Sequence, residues 1–387
     1  GFSNNESTLT LSMLDVRPYP HQVQMLKELD YARKSLGYHK NLVVAATGSG
    51  KTVLAALDFK NYLLQNPGAK LLFVAHRKEI LSQSRSAFAQ VLGDSSFGEF
   101  MVDGQIPSQW NHVFASVQSL SEGKLRNIPS THFDFIIIDE FHHSSAPTYR
   151  RIIEKFDSKE LVGLTATPER ADGTKVQYVY FEGRIATELR LWSALDQELL
   201  SPFAYYGIGE ETDFTNVPWQ GGNGYETKSL SNVVTGNDVR DRLLLNEMRR
   251  KIADLNAMSC LVFCVDVAHA TYMSQLFLKN GIPSACVTGE TSSEDRAAAL
   301  RGLKDGTIKL ITSVDIFNEG LDVPSVNTII MLRPTESPVI FLQQLGRGLR
   351  KAPGKSEVLV LDFIGAHRVQ YRLDLKLGVL SGSSRGE

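Results

Sequence analysis

Only three cysteines, Cys260, Cys264 and Cys286, occur in 387 residues, and no two share a CxxC spacing. That scarcity excludes a disulfide framework and a cysteine-rich zinc site, and it favours a reducing, cytoplasmic setting. Cys260 and Cys264 are an even number of residues apart in "SCLVFC", which on a strand puts both thiols on one face as core groups. No apolar run reaches about 18 residues, so no segment is expected to span a membrane. The opening "GFSNNESTLTLSML" lacks a basic stretch followed by an apolar one and does not read as a secretory signal. Neither sign of charge dominates, since 41 Lys and Arg face 43 Asp and Glu for a net −2. A broad basic surface is therefore disfavoured, while local phosphate contacts stay open.

What is present is a rhythm. The length favours two domains. Short apolar, β-branched runs alternate with helix-like stretches: "NLVVAAT" (41–47), "KLLFVAH" (70–76), "HVFASV" (112–117), "FDFIIID" (133–139) and "LVGLTAT" (161–167). The rhythm returns in "CLVFCV" (260–265), "SACVTG" (284–289), "KLITSV" (309–314), "NTIIML" (327–332) and "VLVLDF" (358–363). Strands this apolar suit parallel sheets covered by helices on both faces, which predicts two tandem α/β domains. The expected division is a first domain over 1–200, a linker or irregular insertion over the Gly/Asn/Thr-rich 201–238, a second domain over 239–366, and a C-terminal tail over 367–387 that reads as frayed or truncated.

The segment "FDFIIIDEFHH" (133–143) ends a strand-like run in two carboxylates and two histidines. A transition-metal site, a nuclease centre and the magnesium end of a nucleoside triphosphatase all fit those residues. The stretch "AATGSGKT" (45–52) lies between an apolar strand and a helical stretch, the context that a phosphate-binding loop requires. Its Thr47, Gly48, Ser49 and Gly50 are expected to wrap backbone N–H groups around phosphates, with Lys51 adding charge and the Thr52 hydroxyl binding magnesium. Ala45 stands where the general pattern has its first glycine. Within such a fold, an acid closing a later strand holds the same metal, which gives Asp139 that role and Glu140 the task of orienting and deprotonating the attacking water. Adjacent histidines point apart and no cysteine is near, so a zinc site at His142 and His143 is disfavoured.

In order along the chain, "ATGSGKT", "DEFH", "TATP" (165–168) and "QQLGRGLR" (343–350) resemble motifs I, II, III and VI of superfamily-two helicases and translocases of the DExH type. "RPYPHQ" (17–22), "VAHRKEIL" (74–81), "ASVQSL" (115–120), "LVFCVDVAHA" (261–270) and "ITSVDIFNEGLDVP" (311–324) resemble the Q motif and motifs Ia, Ib, IV and V. The chain is most similar to a bacterial DEAD/DEAH-box group often flanked by a phospholipase-D-like nuclease domain. "HRK" at 76–78 is not that nuclease's HxK motif, because Gln83 occupies the acid position.

The resemblance implies two RecA-like domains, each a mainly parallel sheet flanked by helices, with ATP and Mg2+ as cofactors and ATP hydrolysed as an interdomain cleft closes. It assigns Arg17 and Gln22 to adenine recognition, Gly320, Asp322 and Gln343 to nucleotide contacts, and Arg347 and Arg350 to the γ-phosphate. The last two, three apart on a helical stretch, are expected to face the same way. His142, Thr165 and Thr167 would couple hydrolysis to movement. Arg77, Ser116, Gln118 and Thr312 are the candidate contacts to a sugar-phosphate backbone, held without regard to sequence, with DNA favoured over RNA. Two functions follow as expectations: an ATP-driven helicase or translocase, or an ATP-gated nucleic-acid sensor or clamp that does not unwind. Either could serve a nuclease or accessory domain.

Overall fold

A computed structural model describes residues 16–141, 147–168, 176–220, 224–314, 323–335, 337–368, 371 and 373–380. The chain divides into two compact units: residues up to Leu189, apart from 46–49 and 171–174, and residues from Arg190 onward.

The first unit is a sheet of seven strands: β1 (Lys40–Ala45), β2 (Leu71–Ala75), β3 (Glu99–Met101), β4 (His112–Ser116), β5 (Phe135–Ile138), β6 (Glu160–Thr165) and β7 (Thr187–Leu189), in the order β3-β4-β2-β5-β6-β1-β7. Every described pairing in it is parallel. β2 and β5 are buried along their whole length, as unbroken apolar runs covered on both faces must be. Gly163 is required in β6: a Cβ there would stand 2.6 Å from Phe181 Cζ and 3.0 Å from Phe141 Cδ2. Three helices matter for the site: α1 (Pro20–Lys34), α2 (Lys51–Gln65) and α3 (Lys78–Leu92). At the end of the sheet away from the phosphate-type loop, Arg33 forks onto Asp58 at 2.6 and 2.8 Å and reaches Glu160 at 2.8 Å. These three buried charges tie α1 to α2 and β6. Burial pushes the Arg33 guanidinium down, but its two carboxylate partners raise it further, so it stays charged.

The second unit carries β8 (Phe203–Asp213), β9 (Cys260–Phe263), β10 (Ser284–Val287), β11 (Leu310–Ser313), β12 (Thr328–Met331) and β13 (Val358–Ala366), in the order β10-β11-β9-β12-β13-β8. These described pairings are parallel too. Cys260 and Cys264 are fully buried, and burial raises both thiols above their ordinary range. They are core groups, as expected.

Residues 201–238 are not a linker. β8 pairs with β13 over eight positions, and Phe214, Val217, Tyr225, Leu230 and Val234 form a buried cluster with Val265 and Tyr371. The polar composition concealed an edge strand, which needs apolar residues only where it meets the core. Within 367–387, the helix Leu373–Leu380 docks through Lys376, whose ammonium is buried against the Asp362 carboxylate and lies 5.2 Å from the Phe341 ring centre. The long continuous stretch of the second unit, which also takes in 46–49, thus starts at Arg190, and its core extends past residue 366. No helix among the described residues is long and apolar enough to cross a membrane.

Candidate functional site

Because β5, β6 and β1 are parallel neighbours, their C-terminal ends deliver three chain segments to one edge of the first sheet. β1 ends at the buried Ala45, and the turn that follows closes through Ser49 N–H and Oγ–H donating to the Ala46 carbonyl at 3.1 and 2.7 Å. Gly48 and Gly50 have φ of 90° and 86°, a left-handed geometry that admits glycine without strain. Gly50 then caps α2, so Lys51 and Thr52 open that helix. N–H groups at a helix N-terminus favour an anion.

Asp139 directly follows β5. It is 5% exposed, and its own N–H continues the ladder by donating to the Val74 carbonyl at 2.9 Å. Its Oδ1 accepts the Glu140 N–H at 2.9 Å. Glu140 has φ of 51°, a conformation a non-glycine residue adopts at a cost and one that occurs often at functional sites. This twist brings Glu140 Oε1 to 3.3 Å from Lys51 Nζ, with both side chains only about a tenth exposed. Lys51, Asp139 and Glu140 are therefore assembled in one place.

The donor set tests the expected metal. Among the described residues no group of three His, Cys, Asp or Glu side chains could hold an ion. One buried carboxylate, Asp139, together with the Thr52 hydroxyl at the start of α2 is a donor set that suits a hard cation keeping several waters and borrowing phosphate oxygens, as Mg2+ does. His142, His143, Gly320 and Asp322 lie outside the described residues.

Gln22 is 1% exposed. Pro20 starts α1, and the Gln22 Oε1 reaches back to accept the Tyr19 N–H at 3.0 Å. Its Nε2 donates to the Gly50 carbonyl at 3.3 Å, binding the start of α1 to the glycine loop. One donor and one acceptor position of the amide are left over. Pro at the first helical position and Gln two residues later signal the bond to Tyr19, whereas the link to Gly50 is a long-range contact with no local sequence signal. Arg17 is exposed just before this turn. At the end of β6, Thr165 Oγ1 donates to the Thr167 carbonyl at 2.7 Å and accepts the Thr167 N–H at 3.1 Å, with both residues buried. The pair forms a tight turn beside Asp139's strand.

The remaining candidates divide. Gln118 is exposed at the end of β4, with Nε2 3.2 Å from Nδ1 of His76, which precedes Arg77 at the start of α3. These residues form an exposed polar surface on the loop edge of the sheet. Ser116 does not join it: the residue is 5% exposed, and its hydroxyl accepts the Ser119 N–H at 3.2 Å and donates to Ser119 Oγ at 2.8 Å, capping a short helical turn. Thr312 is fully buried in β11 and donates to the Ala270 carbonyl at 2.8 Å. Both hydroxyls are spent on local structure, so neither is a backbone-phosphate contact.

In the second unit, Gln343 and Arg347 sit on the helix Pro338–Gly348, buried and half-buried respectively. Arg350 is off that helix. Leu349 caps it, and Arg350 bridges in antiparallel fashion to Leu200 while the Leu349 carbonyl accepts the Ser201 N–H at 2.6 Å. Arg347 and Arg350 therefore do not lie on one continuous helix. The helix end is fixed by Lys355, whose ammonium donates to the carbonyls of Gly348, Pro324 and Val326 at 2.8, 2.6 and 3.2 Å, a favourable placement for a cation.

Two family models match the chain: "Type III restriction enzyme, res subunit" over residues 15–170 and "Helicase conserved C-terminal domain" over 243–352. An ATP-dependent helicase named IRC3 in Saccharomyces cerevisiae is 29% identical over 342 residues, which cover 84% of this chain and 48% of that protein. This chain thus spans about half the length of that relative. The protein named DNA 3'-5' translocase XPB2 in Sulfurisphaera tokodaii is 24% identical, covering 96% of this chain and 89% of its own. Among solved structures, a fragment described as the HsdR subunit of a type I restriction enzyme from Vibrio vulnificus is 22% identical and superimposes with a TM-score of 0.70, covering 91% of this chain and 65% of that one.

Proposed function

Because the chain belongs to the superfamily-two DExH-type helicases and translocases, we propose that it hydrolyses ATP to move along nucleic acid, with DNA as its track. The observation that carries this reading is the assembly of Lys51, Asp139 and Glu140 at the end of β5, beside a glycine loop that opens α2.

The geometry supports a division of labour. Backbone N–H groups of 48–52 and the Lys51 ammonium hold the triphosphate. Thr52 and Asp139 would hold Mg2+, which would supply neutralisation of the developing phosphate charge. As Lys51 turns from Glu140 toward phosphate, the Glu140 carboxylate is released to accept a proton from water. The water oxygen bonds to the γ-phosphorus, the bond to the β–γ bridging oxygen breaks, and ADP leaves with its electron pair. Gln22 joins adenine recognition to the loop through the Gly50 carbonyl. Gln343, Arg347 and Arg350 contact the nucleotide, and the Thr165–Thr167 turn passes the change in the site onward.

Arg77 and Gln118 contact the sugar-phosphate backbone, without sequence preference. The choice of DNA follows the motif resemblance and agrees with the name of the XPB2 relative, which this chain spans almost completely. A role as the motor of a nuclease or defence system is consistent with the res-subunit match.

The test is ATP hydrolysis measured alone and with single-stranded DNA, double-stranded DNA and RNA. DNA should stimulate hydrolysis, and Lys51→Ala and Glu140→Gln should each reduce it by at least about a hundredfold. Hydrolysis unaffected by any polymer would overturn the motor, and stimulation by RNA alone would overturn the track.

A further inference from the structure

The segment between β3 and β4 is not used by the chemistry above, yet it is held firmly. It leaves β3 through a turn in which the Gln105 N–H donates to the Val102 carbonyl at 3.0 Å. The central Asp103 and Gly104 have φ of 51° and 84°, the sign pattern of a tight type I′ turn for which Asp-Gly is a preferred pair. On its return, the Glu99 carboxylate accepts the N–H groups of Ser108, Gln109 and Trp110 at 2.7, 3.0 and 2.9 Å and the Ser108 hydroxyl at 2.6 Å. Burial pushes the Glu99 carboxyl upward, but these donors outweigh it and hold it below the usual range. Met101 lies in the first unit's core and Trp110 packs against it. Pro107 is buried.

Between these anchors Ile106 projects, 70% exposed. The turn stands where β3 ends, at the same edge as the ends of β2 and β4 that carry His76, Arg77 and Gln118. Lys78 on the first turn of α3 meets Asp103 at 2.7 Å. So exposed a pair adds little stability, but it ties the turn that carries Ile106 to the start of α3, where Lys78 follows Arg77.

We propose that residues 102–111 form a wedge and that Ile106 packs against the nucleobase where paired strands part. Isoleucine is among the apolar side chains that insert between base steps and unstack them. A rigid mount is what such a contact needs, because a mobile loop would lose ordering entropy on engaging the base. This inference rests on the motor reading and adds strand separation to it.

The test uses the whole chain and a forked DNA whose junction base is 2-aminopurine, with a single-stranded DNA of equal length as control. Ile106→Asp should keep single-strand-stimulated ATP hydrolysis unchanged while fork separation and the junction fluorescence change both fall about tenfold, with Ile106→Leu retaining both. Two results overturn the wedge while leaving the motor intact: a wild-type protein that hydrolyses ATP on DNA without parting the fork, or an Ile106→Asp variant that parts it at the wild-type rate. Loss of DNA-stimulated hydrolysis in the wild type itself would instead remove the motor reading, and the wedge with it.

Discussion

At the residue scale the site depends on positions where one side chain, or none, fits. Glu140 reaches Lys51 because its backbone turns left-handed directly after Asp139. Gly163 shows the opposite demand, for the absence of a side chain. Its strand neighbours β1 and β5, and the space that a Cβ would need is filled by Phe181 and Phe141, with Leu42 Cδ1 a further 3.2 Å contact. These aromatics pack on one another at 4.9 Å between ring centres, in the core beneath the carboxylates. Gly163→Ala should therefore destabilise the protein by about 1–3 kcal/mol, the usual cost of overpacking a close-packed core. Chemical denaturation would show it as a lowered midpoint at unchanged slope. Full wild-type stability would mean that Phe181 can move aside freely.

At the element scale, the C-terminal helix Leu373–Leu380 depends on one ion pair. The Lys376 ammonium and the Asp362 carboxylate are about 1% and 2% exposed, and Tyr205 on β8 donates its hydroxyl to the same carboxylate at 2.5 Å. Lys376→Met should cost about 3–5 kcal/mol, because it leaves a buried carboxylate without its cation. Lys376→Met combined with Asp362→Leu should recover much of the loss, and urea titrations of the three proteins would measure the difference. This is also where reading from sequence reached its limit. The strands around the nucleotide loop were legible because their apolar runs are local signals, and the loop announced itself through its glycines and lysine. Arg350 was misplaced because the helix stops at Gly348, an end that is set by contacts to Leu200, Ser201 and Lys355 far away in the chain. Ser116 and Thr312 misled for the same reason, since a hydroxyl's exposure depends on tertiary neighbours. β8 was hidden because it lies at the sheet edge, where many of its side chains face water, and the helix Leu373–Leu380 because its docking rests on Lys376 meeting Asp362 on a strand.

For the whole molecule, near-neutral net charge conceals an asymmetry in how protons bind. His269 is fully buried in the second unit, where its Nδ1 accepts the Val265 N–H at 3.2 Å. Burial first, and the Arg240 charge second, pull its imidazole down to about 3. His367, stacked on Tyr371 at 3.8 Å between ring centres, is brought to about 4 by burial and by Lys376. Burial also lowers His112 in the first unit. An unfolded chain titrates its histidines near pH 6.5, so below that value the unfolded state binds protons that the folded state refuses. Stability contributed by the neutral rings is complete above about pH 6.5 and declines as pH falls toward the folded values; at pH 5 the loss from His269 alone is about 2 kcal/mol. Thermal unfolding of the whole chain, followed by circular dichroism, should show a transition temperature that falls steadily between neutrality and pH 5. His269→Gln keeps an acceptor for Val265 and removes the titrating ring, so it should flatten the slope even if it lowers the transition at neutral pH. An equally steep slope in that variant would place the proton-linked loss at other groups.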